Sequence, residues 1–369
     1  MKQSSRFDTA FQSMAFFIVV FINALFVLKY APRINAPSML SATVYSFLLF
    51  VLGWGYGSKA SFLKSKLLPF IFFPLLFVFI ATSICLLRIV PPETLRVDRW
   101  SAIAAFLSHL FEGKYPYLAP NHLGQYASPM PMIHVIALPF YLIGDIGYLQ
   151  VVAFAGSSLF LWFKISHRSA LLFLGLISVS PAFWWEIVAR SDLSTNMLAA
   201  ALFVVIADKW LNKDQFTKPI AWGVASALLL CTRGLTAIPL LIFFSPLFFR
   251  HFPRSLQYLG SGIGTFVLTF LPFYFWDPSA FISHNPLILQ TNKTHPFIQI
   301  AALAAAFFFG LRPTDARKTV FTTSVIIFLV MLFTFVRTAI QVSLMTTLYE
   351  SMFDISYFTA SLPYIIMYL

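Results

Sequence analysis

What most constrains this chain is the spacing of its apolar runs, each bounded by charge or by Pro and Gly. They fall at 13–30, 40–57, 67–87, 146–163, 169–185, 194–210, 219–233, 234–250, 257–276, 297–311, 318–336 and 352–369, with a further short apolar stretch at 131–145. A helix crosses the hydrocarbon of a bilayer with about 20 apolar residues. Only 10% of the 369 residues are charged, against about 25% in a soluble domain, so the chain cannot cover a water-facing surface. The expected fold is all-α: one polytopic transmembrane helical bundle over residues 1–369, with about 12 crossings counted from those runs. No A-x-A-like cleavage site follows the first run, which reads as an uncleaved span.

The distribution of charge gives the expected orientation. A net charge of +12 without a basic stretch interleaved with polar residues argues against nucleic acid and for basic loops kept on the cytoplasmic side. With a cytoplasmic N-terminus and one crossing per run, 15 Lys and Arg fall inside and 10 outside. Parity requires 131–163 to cross once, which makes 131–145 a partly embedded segment on the outer side. Nine of the 13 acids also fall outside: Glu93, Asp98, Glu112, Asp145, Glu186, Asp192, Asp277, Glu350 and Asp354. Solvated loops account for that bias in one reading, a catalytic face in the other.

Three outer clusters could carry chemistry. In the longest loop, 88–130, Asp98 precedes a stretch 99–112 with apolar residues at Trp100, Ile103, Ala104, Leu107, Leu110 and Phe111, the spacing of an interfacial amphipathic helix. Asp98 is either a helix-start carboxylate neutralised by Arg96 and Arg99 or a base that takes a proton from a hydroxyl. Trp184 and Trp185 read as interfacial anchors ahead of Arg190-Ser191-Asp192, where a second acid suits a two-carboxylate site or simply caps the next helix. Arg233 interrupts about thirty apolar residues; it lies within the membrane or in a tight outer hairpin at Gly234, and either placement lets it face an anion at the outer interface, for which a lipid phosphate is the natural partner of a guanidinium. Lys293, His295 and Arg337 are weaker candidates on the same face, and Asn292-Lys293-Thr294 fits a glycosylation sequon. Cys85 and Cys231 suggest neither a disulfide framework nor a metal site. Walker, HExxH and GxSxG motifs are absent.

Taken together, the crossing 67–87, Asp98 with helix 99–112, Gly113-Lys114-Tyr115-Pro116-Tyr117, the return Ser128-Pro129-Met130-Pro131 and Arg190-Ser191-Asp192 resemble the glycosyltransferase C superfamily. The resemblance covers about residues 67–270, leaving 1–66 as two extra crossings and 271–369 as C-terminal helices. It implies a multi-pass enzyme in the plasma or inner membrane that moves a sugar from a polyprenyl-phosphate donor to a glycan, lipid or protein acceptor on the extracytoplasmic face. Asp98 and Asp192 would be catalytic, and Arg99, Lys114, Tyr117, Arg190 and Arg233 would bind substrate. No metal ligand is assigned, although the chemistry is compatible with a divalent ion. A transporter or flippase for a lipid-linked or anionic substrate is the alternative expectation, and a scaffold without catalysis a third.

Overall fold

The computed structural model describes residues 2–59, 67–291, 294–312 and 315–369. Lys293 and the sequon position Asn292 lie outside the described residues, as do Lys64 and Lys66. Described in chain order, the helices are α1 (Lys2–Tyr30), α2 (Ser38–Lys59), α3 (Leu68–Ile89), α4 (Arg99–Phe111), α5 (Pro131–Leu142) and α6 (Tyr148–Lys164). Then come α7 (His167–Ser178), α8 (Pro181–Val188), α9 (Leu193–Trp210), α10 (Pro219–Leu230), α11 (Ala237–Arg250) and α12 (Phe252–Trp276). The last are α13 (Pro278–Ser283), α14 (Pro286–Thr291), α15 (Pro296–Gly310), α16 (Ala316–Val342), α17 (Leu344–Tyr349) and α18 (Leu362–Tyr368). Extended structure among the described residues is limited to one bridge, Pro120 with Tyr126.

Proline marks many of the beginnings. Helices α5, α8, α10, α13, α14 and α15 all start on Pro, whose fixed φ is already helical and whose missing N–H would be unpaired there anyway. The same punctuation shortens the apolar runs. Among the described residues five helices are long and apolar enough to cross a membrane: Ala10–Ile34, α3, α9, α12 and α16. The run 169–185 breaks at Val179, and α7 and α8 meet at 71°; the Ser180 hydroxyl accepts from the Phe183 N–H to start α8 afresh. The shorter apolar helices are Ser38–Val51, α5, α10, Gly234–Arg250 and α15. The run 352–369 is no single span either, but a 3-10 turn (Ile355–Ser361) followed by the seven residues of α18.

Helices α1, α3, α6, α7, α9, α11, α16 and α18 share the main apolar core. The outer surface is also apolar: α12 exposes Leu256, Ile263, Val267, Leu268 and Phe275, a surface that water would penalise and lipid would not. These apolar helices fit an integral membrane protein.

Helix α4 forms where its spacing places it, but rotated from expectation. Its buried residues are Arg99, Ser101, Ala102, Ile103, Phe106 and Leu107, whereas Leu110 and Phe111 are exposed. The inward turn carries Arg99 into the protein, where polar partners await it. Trp184 and Trp185 are likewise half-buried, packed on Phe79 and Phe26.

Two glycines set helix separations. A side chain at Gly223 of α10 would strike the Tyr258 carbonyl of α12, and a Cβ at Gly310 would lie 2.9 Å from the Leu241 carbonyl and 3.2 Å from Cα of Ile242. Helices α11 and α15 therefore touch backbone to backbone at Gly310, as small residues allow in a membrane. Toward the other end of α15 and the start of α11 the two helices leave a space that α16 completes. Gly310→Leu should force α11 and α15 apart, costing about 1–3 kcal/mol. Thermal unfolding in detergent checks this, and an unchanged midpoint would contradict the close approach.

Candidate functional site

Acids and arginines far apart in sequence meet at one end of the bundle. The α8–α9 turn begins the assembly. Arg190 takes the left-handed conformation, φ 51°, normally strained for a residue with a side chain. All its donors are used within the protein. Nε and Nη2 grip the Asp145 carboxylate at 2.9–3.1 Å, and Nη2 also donates to Leu87 O at 2.6 Å. Nη1 donates to Val90 O and Val188 O. Arg190 thus clamps the end of α3 and the α5–α6 turn to the start of α9, and no N–H remains for a ligand.

Asp192, next but one, is fully buried and held by Arg233: Nε to Oδ2 at 2.9 Å and Nη2 to Oδ1 at 2.7 Å, with Asn196 Nδ2 donating at 2.7 Å. Burial alone would raise its pKa, but the charge and hydrogen bonds of Arg233, then the charge of Arg99, hold it below the usual carboxylate range. The Arg233 guanidinium is fixed at two nitrogens. Its third, Nη1, has no acceptor among the described residues.

Arg99 forms the second hub. Nη1 donates to Ser191 Oγ at 2.6 Å and reaches Glu186 at 3.4 Å. Nη2 donates to Ser356 Oγ at 2.7 Å and reaches Asp354 at 3.3 Å. Its guanidinium lies over the Tyr357 ring, 5.1 Å from the centroid. Glu186 is fully buried and also accepts from the Ser194 N–H and the Thr359 hydroxyl. One side chain of α4 thereby joins α8, the α8–α9 turn and the 3-10 turn before α18.

Beside these hubs lies a cavity of about 570 Å³. Arg233, Gln290, Gln299, Asp354 and Tyr357 line its polar part, and Ile238, Leu303, Val330 and Met331 of α11, α15 and α16 its apolar part. Arg233 is the basic residue and Asp354 the acid among its lining residues. Such a space accommodates an amphiphile with a polar head and a hydrocarbon tail.

The remaining expected residues lie elsewhere. Asp98 is half-buried, with no ion-pair partner among the described residues; Oδ2 accepts from Asn121 Nδ2 at 3.3 Å, and its side chain does not cap α4. It is not in the cavity wall, but its neighbour Arg99 bonds Asp354, which is. Lys114 is exposed and donates to Glu112 at 2.6 Å, a bond that holds the Glu112 carboxyl below its ordinary range. The length of α4, roughly 20 Å, separates it from Arg99. Tyr117 is buried among Phe106, His134 and Phe273, its hydroxyl without a partner among the described residues. Among the described residues no group of three His, Cys, Asp or Glu converges as a metal site would.

Sequence reasoning counted Asp354 on the outer side without giving it a role and passed over Gln290 and Gln299. Their positions in the C-terminal third, outside the recognised loops, carried no local signal. The chain matches no protein-family model, no curated protein and no solved structure, so its chemistry rests on these side chains.

Removing one partner of a buried ion pair leaves the other uncompensated, at a cost of about 3–5 kcal/mol. Arg233→Met should lower the thermal midpoint accordingly, and Arg233→Met combined with Asp192→Asn should recover most of the loss. Equal destabilisation in the single and double variants would show that the pair is not coupled.

Proposed function

We propose that the chain is a membrane glycosyltransferase of the glycosyltransferase C type, moving a sugar from a polyprenyl monophosphate to a glycan, lipid or protein acceptor. The observation that carries this reading is the amphiphilic cavity, where a guanidinium pinned by Asp192 keeps Nη1 free beside an apolar wall. A polyprenyl tail would lie along Leu303, Val330 and Met331, with its phosphate against Arg233. In this reading the shorter apolar helices cross together with the longer ones and the bent α7–α8 pair, while the run 352–369, broken into a 3-10 turn and α18, packs within the bundle. The N-terminus is then cytoplasmic, and the site opens on the extracytoplasmic face.

The chemistry needs little beyond a base and a cation. The acceptor hydroxyl gives its proton to the Asp98 carboxylate, the accessible acid without an ion-pair partner next to Arg99. The acceptor oxygen attacks the anomeric carbon as the bond to the phosphate oxygen breaks. The electron pair leaves on the lipid phosphate, which gains one negative charge, and Arg233 stabilises that growing charge. A single in-line displacement inverts the anomeric centre. Asp192 acts by orienting Arg233, and Arg99 by tying α4 to the cavity wall.

Purified protein given a panel of polyprenyl-phosphate sugars should consume one of them. Asp98→Asn should slow transfer by about 10²–10⁴-fold while donor binding persists. Transfer at the wild-type rate would remove Asp98 as the base. Transbilayer movement of a labelled lipid in vesicles, with no sugar transferred, would identify a flippase instead.

A further inference from the structure

Lys29 carries a charge that no carboxylate contacts directly among the described residues. It lies in the last turn of α1, 7% exposed. Its Nζ donates to Ser351 Oγ at 2.9 Å, and no carboxylate pairs with it among the described residues. Every other buried cation at this end has an acid: Arg99 has Glu186 and Asp354, Arg190 has Asp145, and Arg233 has Asp192. An ammonium held away from water without a counter-ion is unfavourable, and such groups are retained where they meet a ligand. If the only task were to hold Ser351, a neutral amide would serve.

Its position says what the charge faces. Ser351 lines the cavity, as does Asp354, whose carboxylate acts electrostatically on Lys29. In the cavity wall Arg233 is opposed by Asp354, one cation against one anion, so the wall by itself has no net attraction for a phosphate. Lys29 stands behind the lining residue Ser351 and tips that balance to positive. Arg33, stacked 4.7 Å from the Tyr30 ring centroid, adds positive charge at the same end of α1.

We propose that Lys29 is a second binding residue for the anionic headgroup in this cavity, the ammonium partner of Arg233 on the phosphate of a single-chain isoprenoid lipid. The lipid's identity rests on the glycosyltransferase reading; the anion site does not. Helix α1, outside the part of the chain that carries the family resemblance, thus supplies part of the substrate pocket. The ammonium keeps two N–H groups beyond the one given to Ser351, and a phosphate that takes them meets the negative charge of Asp354 across the cavity. Recognition therefore favours a headgroup that brings hydroxyls to Asp354, as a sugar ester of the phosphate does.

The test uses the full chain in a neutral maltoside detergent and titrates citronellyl phosphate, citronellol and inorganic phosphate by tryptophan fluorescence. Lys29→Met should weaken citronellyl phosphate by at least about tenfold and leave citronellol unchanged, while Lys29→Arg stays close to wild type. Should Lys29→Met not fold, Lys29→Gln, which keeps a donor for Ser351, gives the same comparison. Wild-type affinity for citronellyl phosphate in Lys29→Gln overturns the proposal. Equal, Lys29-dependent binding of inorganic phosphate overturns the lipid headgroup in favour of a soluble anion. Sugar transfer that ignores Lys29 sinks this inference alone. Lys29-dependent binding of citronellyl phosphate without transfer from any donor sinks only the enzyme reading.

Discussion

The organisation of this protein depends on how a nearly charge-free chain buries charge. Arg99, Arg190 and Arg233 are each less than a tenth exposed, and in a low-dielectric interior each requires an acid and further hydrogen bonds. Satisfying them brings together segments that the apolar core alone would not register. Apolar packing between helices in lipid is weakly directional, so sliding a helix by a turn changes little. Displacing Asp192 from Arg233 leaves a bare buried charge, and displacing Asp354 from Arg99 leaves that arginine with Glu186 alone. The three arginines thus fix the relative heights of α3, α4, α8, α9, α11 and the turn before α18.

That arrangement separates two roles for arginine. Arg190 spends every donor on carboxylate and carbonyl oxygens and accepts a left-handed backbone to do so; it is a clamp. Arg233 spends two nitrogens on one carboxylate, which holds the guanidinium plane and presents the third to the cavity. A bidentate bond to Asp192 makes Arg233 a rigid donor instead of a mobile surface charge, and a rigid donor loses less entropy on meeting a phosphate. The sequence reading made both substrate-binding residues. Their difference lies in partners 45 residues away for Arg190 and 41 for Arg233.

Much of the layout was legible in the sequence. The helical class follows from composition, the boundaries of α3, α6 and α9 from their apolar runs, and α4 from its spacing. The break between α7 and α8 was signalled by Ser180-Pro181, but an apolar count reads across it. The rotation of α4 was not legible, because an amphipathic pattern assumes that charge faces water, and Arg99 turns inward to partners on α8 and the C-terminal turn. Asp98 and Asp192 read as a pair from two loops of similar character. The structure gives them different surroundings: Asp98 is half-exposed beside Asn121, and Asp192 is sealed under Arg233.

The least legible part is the contribution from the two ends of the chain. Nothing near Lys29 or Asp354 distinguishes them from loop charges; Ser351 connects them, through a hydrogen bond that spans 322 residues. A core confined to 67–270 would hold Arg233, Asp192 and Glu186 but lose Asp354 and Ser356, the partners that complete Arg99. It would also lose α15 and α16, which make the apolar wall of the cavity. Arg99 would then keep Glu186 and Ser191 on Nη1 but lose both partners of Nη2, loosening the start of α4, and Asp98 is the residue immediately before that helix. The placement of the proposed base is therefore set by residues more than 250 positions away, through an arginine whose inward turn no local pattern announces.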